Sequence, residues 1–261
     1  MIKLIVSDMD GTLLNDEKEL SPKFQEVYTK LQEKGIKFAV ASGRPSYSLV
    51  PQFNFFNHNI LFICDNGAFI NMDEEPIVVK PLDMSFVRSI IKDARATDGV
   101  YITVCGMHTS YIEKSQEEFL PEASKYYKGL EIVDDLMELD ETILKIALFD
   151  SKTWKNNSWD VWQKYTEHLA IAPSSDQWID IMPIEVNKGM ALKIVQEKLG
   201  VSNDETMAFG DYLNDLEMLK MAKYSYAMEN AHPTIKNIAA FQAPDNNDDG
   251  VLNTIEKVVL L

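Results

Sequence analysis

Residues 2–15 read IKLIVSDMDGTLLN. A run of apolar residues, the length of one buried strand, ends in two aspartates, Asp8 and Asp10, one residue apart. Gly11 and Thr12 follow at once. Carboxylates at the tip of a buried strand cost desolvation energy unless something compensates them. The fold and the chemistry both turn on what does so here.

Outward from that stretch, the chain alternates strand and helix to about residue 80. SPKFQEVYTKLQEKG (21–35) predicts a helix: Ser21 caps it, Pro22 opens it, and Phe24, Val27, Tyr28 and Leu31 repeat at helical spacing. Gly35 supplies the stop. IKFAVAS (36–42) and ILFIC (60–64) predict strands, residues 46–56 a second helix, and DNGAFINMDEEPIVVK (65–80) a hairpin with an acidic turn. From 187 onward the alternation resumes. NKGMALKIVQEKLG predicts a helix capped by Asn187 and stopped by Gly200. ETMAFG, YSYAM and residues 240–243 predict strands, with helices between them and a last helix at 250–259.

Between 83 and 185 the texture changes to antiparallel pairs, YITVCG with HTSYIEK and IAPSSDQWIDIMP on itself, with helical patterns at 115–128 and 153–168 around TILKIALFD. The tract DSKTWKNNSWDVWQKY predicts a helix packed on its sheet through Trp154, Trp159 and Trp162. The expected architecture is α/β: a doubly wound, parallel-sheet, Rossmann-like core, residues 1–82 and 186–261, interrupted by an inserted α+β cap, residues 83–185.

Composition narrows the partners. Apolar residues are 46% of the chain, enough for an ordinary core, and no apolar stretch approaches a membrane span. The formal net charge of -16 repels nucleic acid and anionic lipid. It also repels phosphorylated metabolites unless a metal ion and a few basic residues invert the field locally. Two cysteines, Cys64 and Cys105, each in a strand-like run, read as buried free thiols of a cytoplasmic protein. The first residues show no secretory pattern.

In open parallel sheets, ligands collect at the carboxyl ends of the strands. Those ends carry Asp8 and Asp10, then ASGR with Ser42, Gly43 and Arg44, then CDNGA, then Gly210-Asp211 followed by Asn214 and Asp215. Lys188 lies in the first turn of the returning helix. Several carboxylates with a hydroxyl, a lysine and an asparagine suit phosphoryl transfer around Mg2+. The ion accepts hard oxygen ligands, the lysine and hydroxyl can bind phosphoryl oxygens, and an aspartate can carry the phosphoryl group.

DMDGTLLN, ASGR, NKG and GDYLNDLEML resemble, in order, the four motifs of haloacid dehalogenase-like phosphatases. DNGAFI, the cap between motifs two and three, and NNDDGV resemble more narrowly the Cof-type sugar-phosphate phosphatases. The resemblance covers nearly the whole chain. It implies that Asp8 is the nucleophile and a Mg2+ ligand. Asp10 would be the acid and base and lend its backbone carbonyl to the metal, with Thr12 orienting it. Ser42, the Gly43 N–H, Lys188 and Asn214 would hold the phosphoryl oxygens, and Arg44 would reach the phosphate or the cap. Asp211 would be a further metal ligand and Asp215 an indirect one. Tyr212 departs from the pattern by its bulk.

The expected activity is Mg2+-dependent hydrolysis of a small phosphorylated metabolite, a sugar or cofactor phosphate, by a monomer or homodimer. A phosphosugar mutase differs only in what receives the phosphoryl group. A signalling receiver would use Asp65 as phosphoacceptor, but such modules are about half this length. DNNDDGVLNTIE (245–256) mimics a calcium loop, yet Pro244 and a strand-like run precede it where a helix is needed. His58, His108, His168 and His232 share no metal-ligand spacing.

Overall fold

The computed structural model of the chain describes residues 1–53, 60–72 and 75–261. Among them, fourteen strands form two sheets. The strands are β1 (Leu4–Asp8), β2 (Lys37–Ala41), β3 (Ile60–Cys64), β4 (Phe69–Met72), β5 (Glu75–Val78), β6 (Val100–Gly106), β7 (Ser110–Glu113), β8 (Glu131–Val133), β9 (Ile143–Asp150), β10 (Leu169–Pro173), β11 (Trp178–Pro183), β12 (Thr206–Gly210), β13 (Tyr224–Met228) and β14 (Phe241–Ala243).

The larger sheet runs β14–β13–β12–β1–β2–β3–β4–β5. Its first six strands are parallel, and β4 and β5 close one edge antiparallel. The chain leaves β1 toward β2 and β3 on one side, and returns through β12, β13 and β14 on the other. The reversal of winding therefore falls between β1 and β12, where such sheets open a crevice at their carboxyl ends. Ser7 pairs with Phe209, so Asp8 and Gly210 finish these two strands side by side.

Local chemistry fixes the helices that cover this sheet. The Ser21 hydroxyl accepts the Lys23 N–H at 3.2 Å and begins the helix Lys23–Glu33, which buries Phe24, Val27, Tyr28 and Leu31. The Asn187 side chain accepts the Met190 N–H at 2.8 Å and begins Lys188–Leu199, which ends at Gly200 with φ +64°. The second helix is shorter than its pattern predicts. It spans Ser46–Leu49, and a 3₁₀ turn, Val50–Phe53, follows at Pro51, which has no N–H to continue an α-helix. Residues 54–56 of that expectation, and the acidic turn at 73–74, lie outside the described residues.

The six-stranded sheet, ordered β10–β11–β9–β6–β7–β8, takes its strands from residues 100–183. Strand alternation sorts its side chains. Ile146, Leu148, Ile179 and Ile181 join a core with Val87, Ile90 and Ile91 of the helix Met84–Ala96. Lys145, Ala147, Phe149, Trp178 and Asp180 take the opposite face. The helix 84–96 and β8 went unpredicted. The last segment is a strand, β14, a 3₁₀ turn and the helix Gly250–Ile255, continued as a π-helical turn over Glu256–Leu260, so no helix enters Asp245 and the calcium-loop geometry is absent there. No helix among the described residues is long and apolar enough to cross a membrane, and Cys64 and Cys105 are buried and free.

Candidate active site

β1 delivers Asp8 to the crevice, and the turn after it brings Asp10 beside it. Gly11 makes that turn with φ +79°, and a Cβ there would lie 2.5 Å from Asp211 Oδ2. Only glycine fits both the conformation and the close approach. β12 delivers Asp211 from the neighbouring strand, and the following 3₁₀ turn, Leu213–Asp215, folds Asp215 back beneath it. Asp215 Oδ2 accepts the N–H groups of Asp211 at 2.9 Å and Tyr212 at 3.2 Å. Oxygen atoms of Asp8, Asp211 and Asp215 all lie within 4.8 Å of one another.

Lys188 enters this cluster from the first turn of its helix. Its Nζ donates to Asp8 Oδ1 at 2.5 Å and Asp215 Oδ1 at 2.6 Å, with the ammonium fully buried. One lysine does not balance three carboxylates. Burial, reinforced by the Asp215 charge and opposed by Lys188, pushes the Asp8 carboxyl up to about 7. Burial, with Asp8 and then Asp215, holds Asp211 well above the usual carboxylate range. Burial alone would lower the Lys188 ammonium, but Asp215 and Asp8 outweigh it and raise it. A hard divalent cation fits this donor set: it supplies the positive charge that the three carboxylates lack.

Thr12, expected to orient Asp10, instead donates its hydroxyl to Asp211 Oδ1 at 3.0 Å. Asp10 is held by Arg44, Nε to Oδ2 at 2.8 Å and Nη2 to Oδ1 at 2.6 Å, and by Lys18 at 3.1 Å. Burial would raise the Asp10 carboxyl, but Arg44 and Lys18 overcome it and hold it low. Arg44 also meets the cap, its guanidinium 5.6 Å from the Tyr126 ring centroid. The Ser42 hydroxyl accepts the Arg44 N–H at 3.1 Å, tightening the loop after β2.

Asp8, Asp10, Ser42, Gly43, Arg44, Asp211 and Asn214 line one cavity of about 260 Å³ between the two sheets. Lys188 and Asp215 stand behind its wall, against Asp8. The cap contributes Tyr126, Tyr127, Lys145, Ser174, Trp178 and Asp180 to the same cavity. Tyr212 lines it too, and its hydroxyl donates to Asp176 at 3.2 Å. Asp65 does not line it: its carboxylate is buried, and its Oδ1 has no hydrogen-bond partner. A receiver's acceptor would need access that Asp65 lacks. His108 is off the cavity, and His232 caps a short helix by accepting the Thr234 N–H at 3.2 Å.

Several groups went unassigned in the sequence. Asn66 stands in CDNGA, where Asp65, Asn66 and Gly67 take three successive positive φ angles, 49°, 53° and 104°. That turn aims Asn66 at Asn214, whose amide donates to Asn66 Oδ1 at 3.0 Å. Lys145 and Asp180 were missed as well; the one signal for them is a lone charge inside an apolar strand, which needs an edge position or a partner that the sequence does not name.

The sequence profile of haloacid dehalogenase-like hydrolases matches residues 5–255. The chain is 30% identical to the 5-amino-6-(5-phospho-D-ribitylamino)uracil phosphatase YbjI of Escherichia coli, over 99% of this chain and 96% of that one. It is 29% identical to the Bacillus subtilis phosphatase YcsE, named for the same substrate, over 99% and 96%. Among solved structures, SMU.1108c from Streptococcus mutans superposes with a TM-score of 0.92 at 31% identity over all of both chains. A haloacid dehalogenase-like hydrolase from B. subtilis superposes with a TM-score of 0.89 at 25% identity over 99% of this chain and 100% of that one. By the profile, these relatives and the fold, the chain belongs to the haloacid dehalogenase-like hydrolases and is an enzyme of their Cof-type phosphatases.

Proposed function

We propose that the enzyme hydrolyses small phosphomonoesters, with Mg2+ as cofactor and Asp8 as the carrier of the phosphoryl group. One observation carries this reading. Asp8 ends the central strand at the winding switch, faces the cavity, and shares its 4.8 Å cluster with Asp211 and Asp215. Asp8 and Asp211, with the Asp10 carbonyl, would hold the metal, and Asp215, whose oxygens accept from Lys188 and from the Asp211 and Tyr212 N–H groups, would act on it indirectly. When bound, Mg2+ screens the phosphate charge from the attacking carboxylate.

An Asp8 oxygen attacks phosphorus, and the O–P bond to the leaving alkoxide breaks as the new one forms. Asp10 gives the alkoxide its proton. It then takes a proton from the water that attacks phosphorus, which releases inorganic phosphate and restores Asp8. Ser42, the Gly43 N–H and Asn214, which line the cavity, bind the non-bridging oxygens as charge spreads onto them, and Lys188, bonded to Asp8 behind the wall, offsets that charge from the nucleophile's side. Arg44 and Lys18 hold Asp10 ionised in the resting site; an arriving phosphate competes for both cations, and Asp10, released from them, takes up a proton from the phosphate monoanion or solvent before it serves as the acid.

The core of residues 1–82 and 186–261 supplies this chemistry, and the cap of 83–185 encloses the leaving group. Aromatic walls at Tyr126, Trp178 and Tyr212, set among polar groups, suit a sugar or polyol phosphate, in keeping with the ribityl phosphate in the names of two relatives. The free buried thiols support a cytoplasmic setting. The test is turnover of phosphorylated metabolites with and without EDTA. Activity lost to the chelator and restored by Mg2+ is expected; undiminished activity in EDTA contradicts the metal. Free phosphate as product, rather than an isomerised sugar phosphate, separates hydrolysis from mutase chemistry.

A further inference from the structure

The inner face of the cap carries two charges that this mechanism leaves unused. Lys145 on β9 and Asp180 on β11 are only 1% and 3% exposed, and their Nζ–Oδ1 distance is 2.9 Å. Asp180 pairs across the strands with Ala147, so Lys145 is its diagonal neighbour on the same face. A buried ion pair is a weak source of stability, because desolvation offsets its attraction. Its remaining hydrogen bonds show another use.

Lys145 Nζ donates to the Gly43 carbonyl at 2.5 Å. Asp180 Oδ2 accepts from Asn66 Nδ2 at 2.6 Å, and Asn66 Oδ1 accepts from Asn214. The pair therefore grips the Ser42–Arg44 loop directly and Asn214 through one amide. The fit is close: a Cβ on Gly43 would lie 3.2 Å from Asp180 Oδ2 and 3.3 Å from the Asn66 amide. The bonds to Gly43 and Asn66 form only when the cap is seated on the core in this register, whereas the ion pair itself lies within the cap. A displaced cap would trade these two bonds for water.

We infer that Lys145 and Asp180 are positioning residues: they set the register of the cap on the phosphate-binding loops, and through Gly43 and Asn66 they aim the Gly43 N–H and the Asn214 amide. The inference rests on the phosphatase reading of those loops.

The test compares the wild type, Lys145→Met and the double variant Lys145→Met/Asp180→Leu in kcat, KM, Tm and amide hydrogen exchange at residues 42–44 and 65–67. The single variant should lose kcat by about tenfold or more. The double variant should recover Tm, since an apolar pair replaces an ion pair without stranding a charge. It should nevertheless keep the kcat deficit and exchange faster at both loops. A double variant with wild-type kcat overturns the inference. So does a loss confined to KM, which would make the pair a substrate contact. A wild type without phosphomonoesterase turnover sinks the functional reading instead. The exchange data then decide registration alone, and unchanged exchange overturns it.

Discussion

Lys188 Nζ bridges Asp8 and Asp215, 2.5 Å from one carboxylate and 2.6 Å from the other, with no exposure to solvent. The same ammonium is thus a counter-ion of the acidic cluster and a neighbour of the proposed nucleophile. Lys188→Met should lower kcat by about a hundredfold or more. It should also cost roughly 3 kcal/mol of stability, because buried carboxylates lose their cation. Added Mg2+ should return part of that stability by occupying the cluster. Thermal unfolding with and without Mg2+, alongside kcat, checks both parts, and a variant with normal Tm and kcat contradicts them.

Asp10 has two jobs at different steps, and its substitution should separate them. p-Nitrophenolate leaves without a proton, whereas a sugar alkoxide needs one. With Asp10→Asn, p-nitrophenyl phosphate should give about one equivalent of nitrophenolate per enzyme and then slow turnover, because the water-activating base is gone. Sugar phosphates should show no burst. A linear time course at the wild-type rate would remove Asp10 from the mechanism.

Much of this was legible in the sequence, and the reason is local. β1, the cap signals at Ser21 and Asn187, and the βα alternation are written in short-range patterns that tertiary packing reinforces. So are the strand ends that carry Asp8, Ser42 and Asp211. What was not legible depends on relations across the fold. Thr12 lies two residues from Asp10 yet bonds Asp211, because the Gly11 turn carries it toward β12. Lys145, Asp180 and Asn66 meet only when the cap seats on the core, and no spacing along the chain encodes that. Pro51 was visible in the sequence, and its missing N–H is what shortens the second helix.

Asp65 makes a stability prediction with a definite sign. Burial pushes its carboxyl up to about 7, with Lys145 opposing and Asp180 adding to the rise, and its Oδ1 is unpartnered. A carboxyl raised on folding contributes stability that is present below its ordinary value and is lost as pH rises through about 7. Asp65→Asn keeps the shape and tolerates the positive φ of 49°. The variant should be more stable than the wild type at about pH 8, by an amount on the order of 1–4 kcal/mol, with the gap closing toward about pH 4. Denaturant titrations across that range measure it, and parallel curves contradict it.

Gly11 and Gly35 share a positive φ, 79° and 70°, but not their surroundings. A Cβ at Gly11 meets Asp211, and one at Gly35 meets nothing within 4 Å. Gly35→Ala should cost about 1 kcal/mol and leave kcat unchanged. Gly11→Ala should cost more and weaken Mg2+ activation by about tenfold or more, since Asp211 must move. Mg2+ titrations of activity, read beside Tm, distinguish them; equal Mg2+ dependence in the two variants contradicts the role given to Asp211.

The central claim is that phosphorus is bonded to Asp8 between the two half-reactions. Rapid acid quench during turnover, followed by peptide mass spectrometry, tests it most directly. The peptide carrying Asp8 should hold one phosphoryl group, and the adduct should disappear in Asp8→Asn together with turnover. A phosphoryl group on another residue, or an Asp8→Asn enzyme that turns over normally, would contradict it.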